Sequence, residues 1–290
     1  MLNGDIKKEA LKRLEDSQNE NTLLLEDLKK KSLELFFLRK RSSEFIVREV
    51  KKYMYRVSNI PKRFHIHFVK YENLAKFFIS EPNQSQFSGN TQVPSNIDIE
   101  SNSGKVAGIG AAAGVGVGVF GPTAAMAIAS TFGTASTGAA IASLSGAAAT
   151  NAAAAWLGGG ALAAGGGGIA GGSTLLGAMG PIGWVIGGGT LLYSGFSASK
   201  KNLEIAKAAD IEREKINQKN LDFKGKLTEI DKLISLTSVH VECQKSIHSL
   251  LVKFSPNDYF DFTTDDKDNL QLMGIHIQFL SKLLGRTVSD

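Results

Sequence analysis

Charge is what this chain lacks most conspicuously. From Val106 to Ser199, 94 consecutive residues hold no Asp, Glu, Lys, Arg or His. Acid–base catalysis and metal ligation have no side chains to work with there. Cysteine is almost absent as well. Cys243 stands alone, which excludes an intrachain disulfide and a cysteine-based zinc site. Proline is scarce, and none precedes Pro61, so the first sixty residues are free to form one long helix. The N-terminus, MLNGDIKKEALKRLEDSQ, lacks the apolar run of a signal peptide. The expectation is therefore synthesis in the cytoplasm, with any membrane entry driven by internal signals.

The charge-free run is rich in glycine, with 25 of the 31 in the chain, and in alanine. Three environments could hold it. Flexible linkers are Gly/Ser-rich and polar, whereas this run carries Phe120, Met126, Phe132, Trp156, Trp184 and many Ile and Leu. A soluble core needs helices with a polar face, and here only hydroxyls and one Asn are on offer. A bilayer fits best, because about 20 apolar residues span the hydrocarbon and small residues let membrane helices pack closely. Gly110, Gly114 and Gly118 form GxxxGxxxG, one glycine face for helix packing. Breaks are expected at Gly121–Pro122, at Gly165–Gly168 and at Gly180–Pro181, with a hairpin turning at the second. Trp156, Trp184 and Tyr193 suit headgroup level, or simple packing. Lys105 at one end and Lys200–Lys201 at the other suit an even number of crossings. Ser136, Ser143 and Thr150 recur every seven residues, as a pore-facing stripe or as hydroxyls each bonded to its own preceding turn. Gly and Ala bury little area. The run therefore suits a segment packed away in one form and inserted in another, rather than a permanent anchor.

The flanks are charged and helical in pattern. Leu24, Leu28, Leu35, Leu38 and Phe45 predict a coiled-coil seam within a helix over about 5–57, broken once near Asn19 or Asn21. Lys31 and Ser42 interrupt the seam, and its breadth points to a bundle within the chain. Between Lys29 and Lys70 stand thirteen Lys or Arg against three Glu. That balance fits a solvated face, attraction to anionic lipid or attraction to nucleic acid, the last being the least favoured. Ile60–Pro61 ends the helix. RFHIHFVKY, Arg63 to Tyr71, alternates as a short strand with His65 and His67 on one side. Residues 80–104 read as a polar linker. Past Lys200, Ile205, Ala209, Ile216, Phe223, Leu227, Ile230, Ile234, Val241 and Leu251 predict a second long helix with a kink at Gly225 and with His240 and His248 on its surface. TTDDKDN caps a final helix ending at Gly285.

Motifs that would carry enzymology fail on context. GVGVFG matches GxGxxG, but Pro122 follows and the next acidic residue is Glu204. SGKVAG lacks the rest of a phosphate-binding loop, and Asp265, Asp266 and Asp268 lack the Gly and Glu of a calcium loop. No constellation converges, so no enzyme, cofactor or metal is expected.

The strings GTASTGAAIASLSGAAATNAAAAWLGGGALAAGGGGIAGG and GPIGWVIGGGTLL resemble glycine-zipper segments of bacterial proteins. The whole arrangement is similar to helical pore-forming proteins with a colicin-like hydrophobic hairpin, and in composition to apolipoprotein L-type and interferon-induced membrane proteins. The resemblance covers about a third of the chain and implies membrane insertion. The expectation is a mainly α protein in four parts: a basic helical region (1–80), a polar linker (81–104), a glycine-rich membrane-inserting region (105–199) and a C-terminal helical region (200–290). It would act as an oligomeric, pore-forming or membrane-perturbing effector on an anionic lipid bilayer, with an unidentified protein partner or trigger. The alternative is a membrane-anchored coiled-coil tether.

Overall fold

The computed structural model describes residues 2–79, 116–144, 146–157 and 198–288. Among them the chain is mainly α, 88% helical and without a strand. Helix α1 (Leu2–Phe45) passes through a π turn (Ile46–Val50) into α2 (Lys51–Arg56), and α3 follows (Lys62–Ile79). The charge-free run supplies α4 (Gly116–Phe132), a 3-10 turn (Ile141–Ser143) and α5 (Gly146–Leu157). Helix α6 (Ala198–Phe254) and α7 (Thr264–Leu284) complete the described chain. These residues fall into two compact units, one of 2–30, 116–121, 157 and 198–228, the other of 31–79, 122–144, 146–156 and 229–288.

In the first unit α1 and α6 run parallel. Arg13 pairs with Asp210, Asn21 with Asn220 and Glu20 with Lys224, so partner numbers rise together. Ala10 packs on Ala206 and Ala209, small residues that permit close approach. Within the seam, Asn21 Nδ2 donates to Asn220 Oδ1 at 2.7 Å, and both residues are buried. A polar pair of this kind ties a parallel coiled coil to one register. Every seventh residue of α6 is buried from Ala209 through Ile216 and Phe223, and in the second unit through Ile230, Thr237, Gln244 and Leu251. That is the heptad repeat expected of a coiled-coil helix.

In the second unit the end of α1 with α2, α3, the end of α6 and α7 pack together with α4 and α5. The end of α1 with α2 runs parallel to α6, as Lys31–Asp231 and Tyr53–Ser255 require. Helix α3 runs antiparallel to α1, with Phe36 on Phe78 and Ser43 near Tyr71. Helix α7 runs antiparallel to α6, since His276 meets His240 and Arg286 meets Glu229. The corners 57–61 and 255–263 adjoin at one end, where Ser58 N donates to Asn257 O and Asn59 to the Asp258 carboxylate. Asn59 adopts φ 60°, a left-handed conformation that Asn tolerates.

Several expectations are corrected here. RFHIHFVKY is helical, not a strand. Phe64, Phe68, Tyr71, Ala75 and Phe78 are buried at intervals of four and three, while Ile66, which made the alternation look complete, is 67% exposed. His65 and His67 therefore do not share a strand face. The first helix runs unbroken past Asn19 and Asn21, because Asn21 has a partner in the seam. Its irregularity is the π turn, whose extra residue keeps Ile46, Val50, Tyr53 and Met54 all in the core. Helix α6 is continuous through Gly225, where open space surrounds the position of a Cβ. Helix α4 likewise runs through Gly121–Pro122. The final helix is capped as its sequence predicts. Thr263 Oγ1 and the Asp266 side chain form a reciprocal capping box, and Gly285 is the C-cap.

Candidate functional site

Residues 122–144 and 146–156 of the charge-free run are folded into the second unit. Met126, Ala127, Ile128, Ala129, Ser130 and Thr131 are all buried. Six consecutive buried residues cover every face of a helix, the condition of a segment enclosed in a core or in lipid. The hydroxyls in it are satisfied locally, Ser130 and Thr131 both donating to Ala127 O. Gly133 follows the end of α4, and the chain then reverses through a turn at 135–139. The Gly133 N–H donates to Ala129 O, its carbonyl accepts from Ile141 N, and the Trp156 ring lies against the same point. Ala149 and Ala153 of α5 are buried, as are Ile141 and Ala142.

This placement decides some expectations and leaves others aside. Ser136 stands in an exposed turn, Ser143 in the 3-10 turn and Thr150 in α5. The three do not share one helical face, because the segment between α4 and α5 is not a single helix. Ser143 Oγ donates to Ala140 O, the local bond weighed above. Trp156 is half-buried beside Gly133. Gly118 lies in α4, and Lys200 and Lys201 in the first turn of α6. Gly110, Gly114, Lys105, Trp184, Tyr193 and the Gly165–Gly168 turn lie outside the described residues. No helix among the described residues is long and apolar enough to cross a membrane.

The C-terminus of α7 meets the charge-free run. Val288 N donates to Thr131 O at 2.7 Å, and a Cβ on Gly285 would touch Ser143 Cβ at 3.4 Å. Beneath that contact lies Arg39, 1% exposed. Its Nη2 donates to the carbonyls of Leu283 and Arg286, each at 2.7 Å, and the guanidinium lies 5.8 Å from the Phe78 ring centroid. Among the described residues its Nε and Nη1 have no partner. Burial pushes this group down to about 9 from the usual arginine value. Nearby, burial pushes the Tyr71 phenol up to about 12, partly opposed by hydrogen bonds from Ser43 and Ser42. Sequence reasoning counted Arg39 among the basic face and missed its burial.

It also placed His240 and His248 on a helix surface, where the structure gives both partners. His240 Nδ1 and His276 Nδ1 are 2.8 Å apart, and His240 stacks on Phe279. His248 Nε2 lies 3.2 Å from Glu49 O, edge-on to Phe45 and Tyr53. Among the described residues no group of three or more His, Cys, Asp or Glu is placed to hold a metal. The pair Nδ1···Nδ1 needs one donor and one acceptor, so it cannot survive with both rings charged. Burial, then the neighbouring His240, hold His276 below the usual histidine range. Burial lowers His248 too, with Arg56 adding and Glu49 opposing. A histidine depressed in the folded state stabilises fully above about pH 6.5, its unfolded value, and loses that contribution as pH falls through the lower folded value. The urea midpoint should therefore fall on acidification below about pH 6.5. A His276→Gln variant should fall less steeply, and equal slopes would remove the pair from the account.

Comparison with protein-family models, curated proteins and solved structures found no match for this chain.

Proposed function

We propose that this protein acts on membranes: a helical frame holds a charge-free segment folded against itself and delivers it to an anionic bilayer, where copies associate and permeabilise it. One observation carries this. The described part of a 94-residue run without charge is enclosed on all faces at Met126–Thr131 by the second unit, so the segment can exchange a protein interior for lipid without leaving an ionised group unpaired. Its hydroxyls bond within their own helix and need no outside partner. The Lys and Arg between Lys29 and Lys70, the buried Arg39 excepted, supply attraction to anionic headgroups, about 1 kcal/mol per residue near the surface.

The test is dye release from anionic vesicles by the full chain, with co-flotation in parallel. Release with flotation, weakened by salt, is the expected result. Flotation without release would favour a membrane-anchored tether instead, a role that the heptad pairing of α1 and α6 would serve. Neither flotation nor release, across a range of pH and lipid charge, would overturn membrane action.

A further inference from the structure

We propose that the C-terminal segment Leu283–Val288 is a latch: held by Arg39, it fastens the charge-free segment to the bundle, and its release is the first step in freeing that segment. The inference rests on the membrane action proposed above, and deepens it by naming what keeps the segment folded.

The chemistry of Arg39 is unusual for a buried cation. No carboxylate among the described residues is paired with it; its hydrogen bonds go to two backbone carbonyls at the end of α7. A helix C-terminus carries partial negative charge and orphan carbonyls, so a cation there is electrostatically favoured. One nitrogen, Nη2, carries both bonds, its two N–H groups reaching Leu283 O and Arg286 O at 2.7 Å each. This fixes the chain as it leaves the helix, where a tail would otherwise fray. Two residues beyond Arg286, Val288 is 2% exposed and bonds Thr131, the last buried residue of α4. Among the described residues, that is the one backbone hydrogen bond outside helices that joins the charge-free run to a charged part of the chain. Gly285 rests on Ser143 of the 3-10 turn. Three consecutive features of one short tail thus hold the end of α4 and the turn before α5.

A latch of this kind opens locally. Residues 286–288 are not helical, and few contacts must break to detach them, so their opening free energy lies below that of the whole unit. With Thr131 uncovered, α4 loses its tie while α6 and α7 keep their heptad and capping contacts.

The experiment is hydrogen exchange by mass spectrometry on the full chain, without lipid. Val288→Pro removes the N–H donor and alters a buried side chain, and truncation after Leu284 removes the tail and the Gly285 cap but leaves the helical residues of α7 in place. Peptides covering Met126–Thr131 should exchange at least about tenfold faster in both variants, a shift of about 1.4 kcal/mol in opening, with Ile230–Leu251 unchanged. Arg39→Lys, whose ammonium ends one atom short of the Nη2 position, should fall between. Wild-type exchange at Met126–Thr131 in both variants would overturn the latch. So would equal acceleration in Ile230–Leu251, which would make the tail a support of the whole bundle. Vesicle dye release separates the two proposals. Faster exchange without any release leaves the latch standing and sinks the membrane reading, whereas faster exchange with faster release supports both.

Discussion

Gly133→Ala should lower the urea unfolding free energy by about 3 kcal/mol, the upper end of what overpacking a well-filled site costs. The first β-carbon there would run into the carbonyl oxygen of Ala129 and lie 2.5 Å from Ile141 Cδ1 and 3.2 Å from Trp156 Cδ2. None of these neighbours can yield cheaply. The Ala129 carbonyl is fixed by the hydrogen bond from Gly133 itself, Ile141 is fully buried, and Ile141 N is tied to Gly133 O. Gly138 supplies the control. It has φ +79° but open space around its Cβ position, so Gly138→Ala should cost only the left-handed penalty of about 1 kcal/mol. If segment release drives membrane action, Gly133→Ala should also release vesicle dye faster than wild type, and Gly138→Ala much less so. A Gly133→Ala protein with native stability would mean that the α4 turn repacks freely and does not hold the segment.

Neither glycine was distinguishable in the sequence from its many neighbours. In a run with 25 glycines composition says that close approach occurs somewhere, and only tertiary packing says where. The same limit applies to Arg39. Its helix was legible, and part of its buried stripe was legible too: Leu28, Leu35 and Ser42 recur every seven residues and are buried, as is Asn21 one heptad before, which the sequence offered only as a break. The other part was expected at Leu24, Lys31, Leu38 and Phe45, but from Lys31 on burial falls one residue further along, at Ser32, Arg39 and Ile46. A row holding a serine and an arginine does not announce itself as a core, because the partners of Arg39 Nη2, Leu283 O and Arg286 O, are distant in sequence. The C-terminal helix was easier. Ala209, Ile216, Phe223, Ile230 and Leu251 are apolar on a strict heptad, and the polar members Thr237 and Gln244 sit where the repeat places them. The capping of α7 was legible because caps are local: Thr263, Asp266 and Gly285 act within a few residues of themselves. The strand expected at Arg63–Tyr71 failed for the reverse reason. Three alternating apolar residues fit both periods, and the deciding positions, Ala75 and Phe78, lie beyond the window.

The seam between α1 and α6 in the first unit carries the last large effect. Asn220→Leu alone should destabilise the protein by about 2 kcal/mol. It strands the buried Asn21 amide, and an orphaned buried polar group costs about 1–3 kcal/mol. Asn220 also donates to Ser17 O at 3.2 Å and to Glu20 at 3.1 Å, and Glu20 in turn meets Lys224 at 2.6 Å. The loss therefore spreads beyond one pair. The double variant Asn21→Leu with Asn220→Leu should recover that loss and exceed wild type, because apolar side chains in a coiled-coil seam are worth more than a buried amide pair. The two substitutions should thus be strongly non-additive, with a coupling energy on the order of 2 kcal/mol in a double-mutant cycle. What the double variant loses is register. With Ala10, Ala206 and Ala209 offering small, interchangeable contacts, a Leu-filled seam no longer penalises a one-heptad slip, or pairing with another copy. Analytical ultracentrifugation should then find oligomers in the stabilised variant at concentrations where wild type is uniform. A stable, uniform double variant would show that the Arg13–Asp210 and Glu20–Lys224 ion pairs fix the register by themselves, which exposed pairs worth 0–1 kcal/mol are too weak to do.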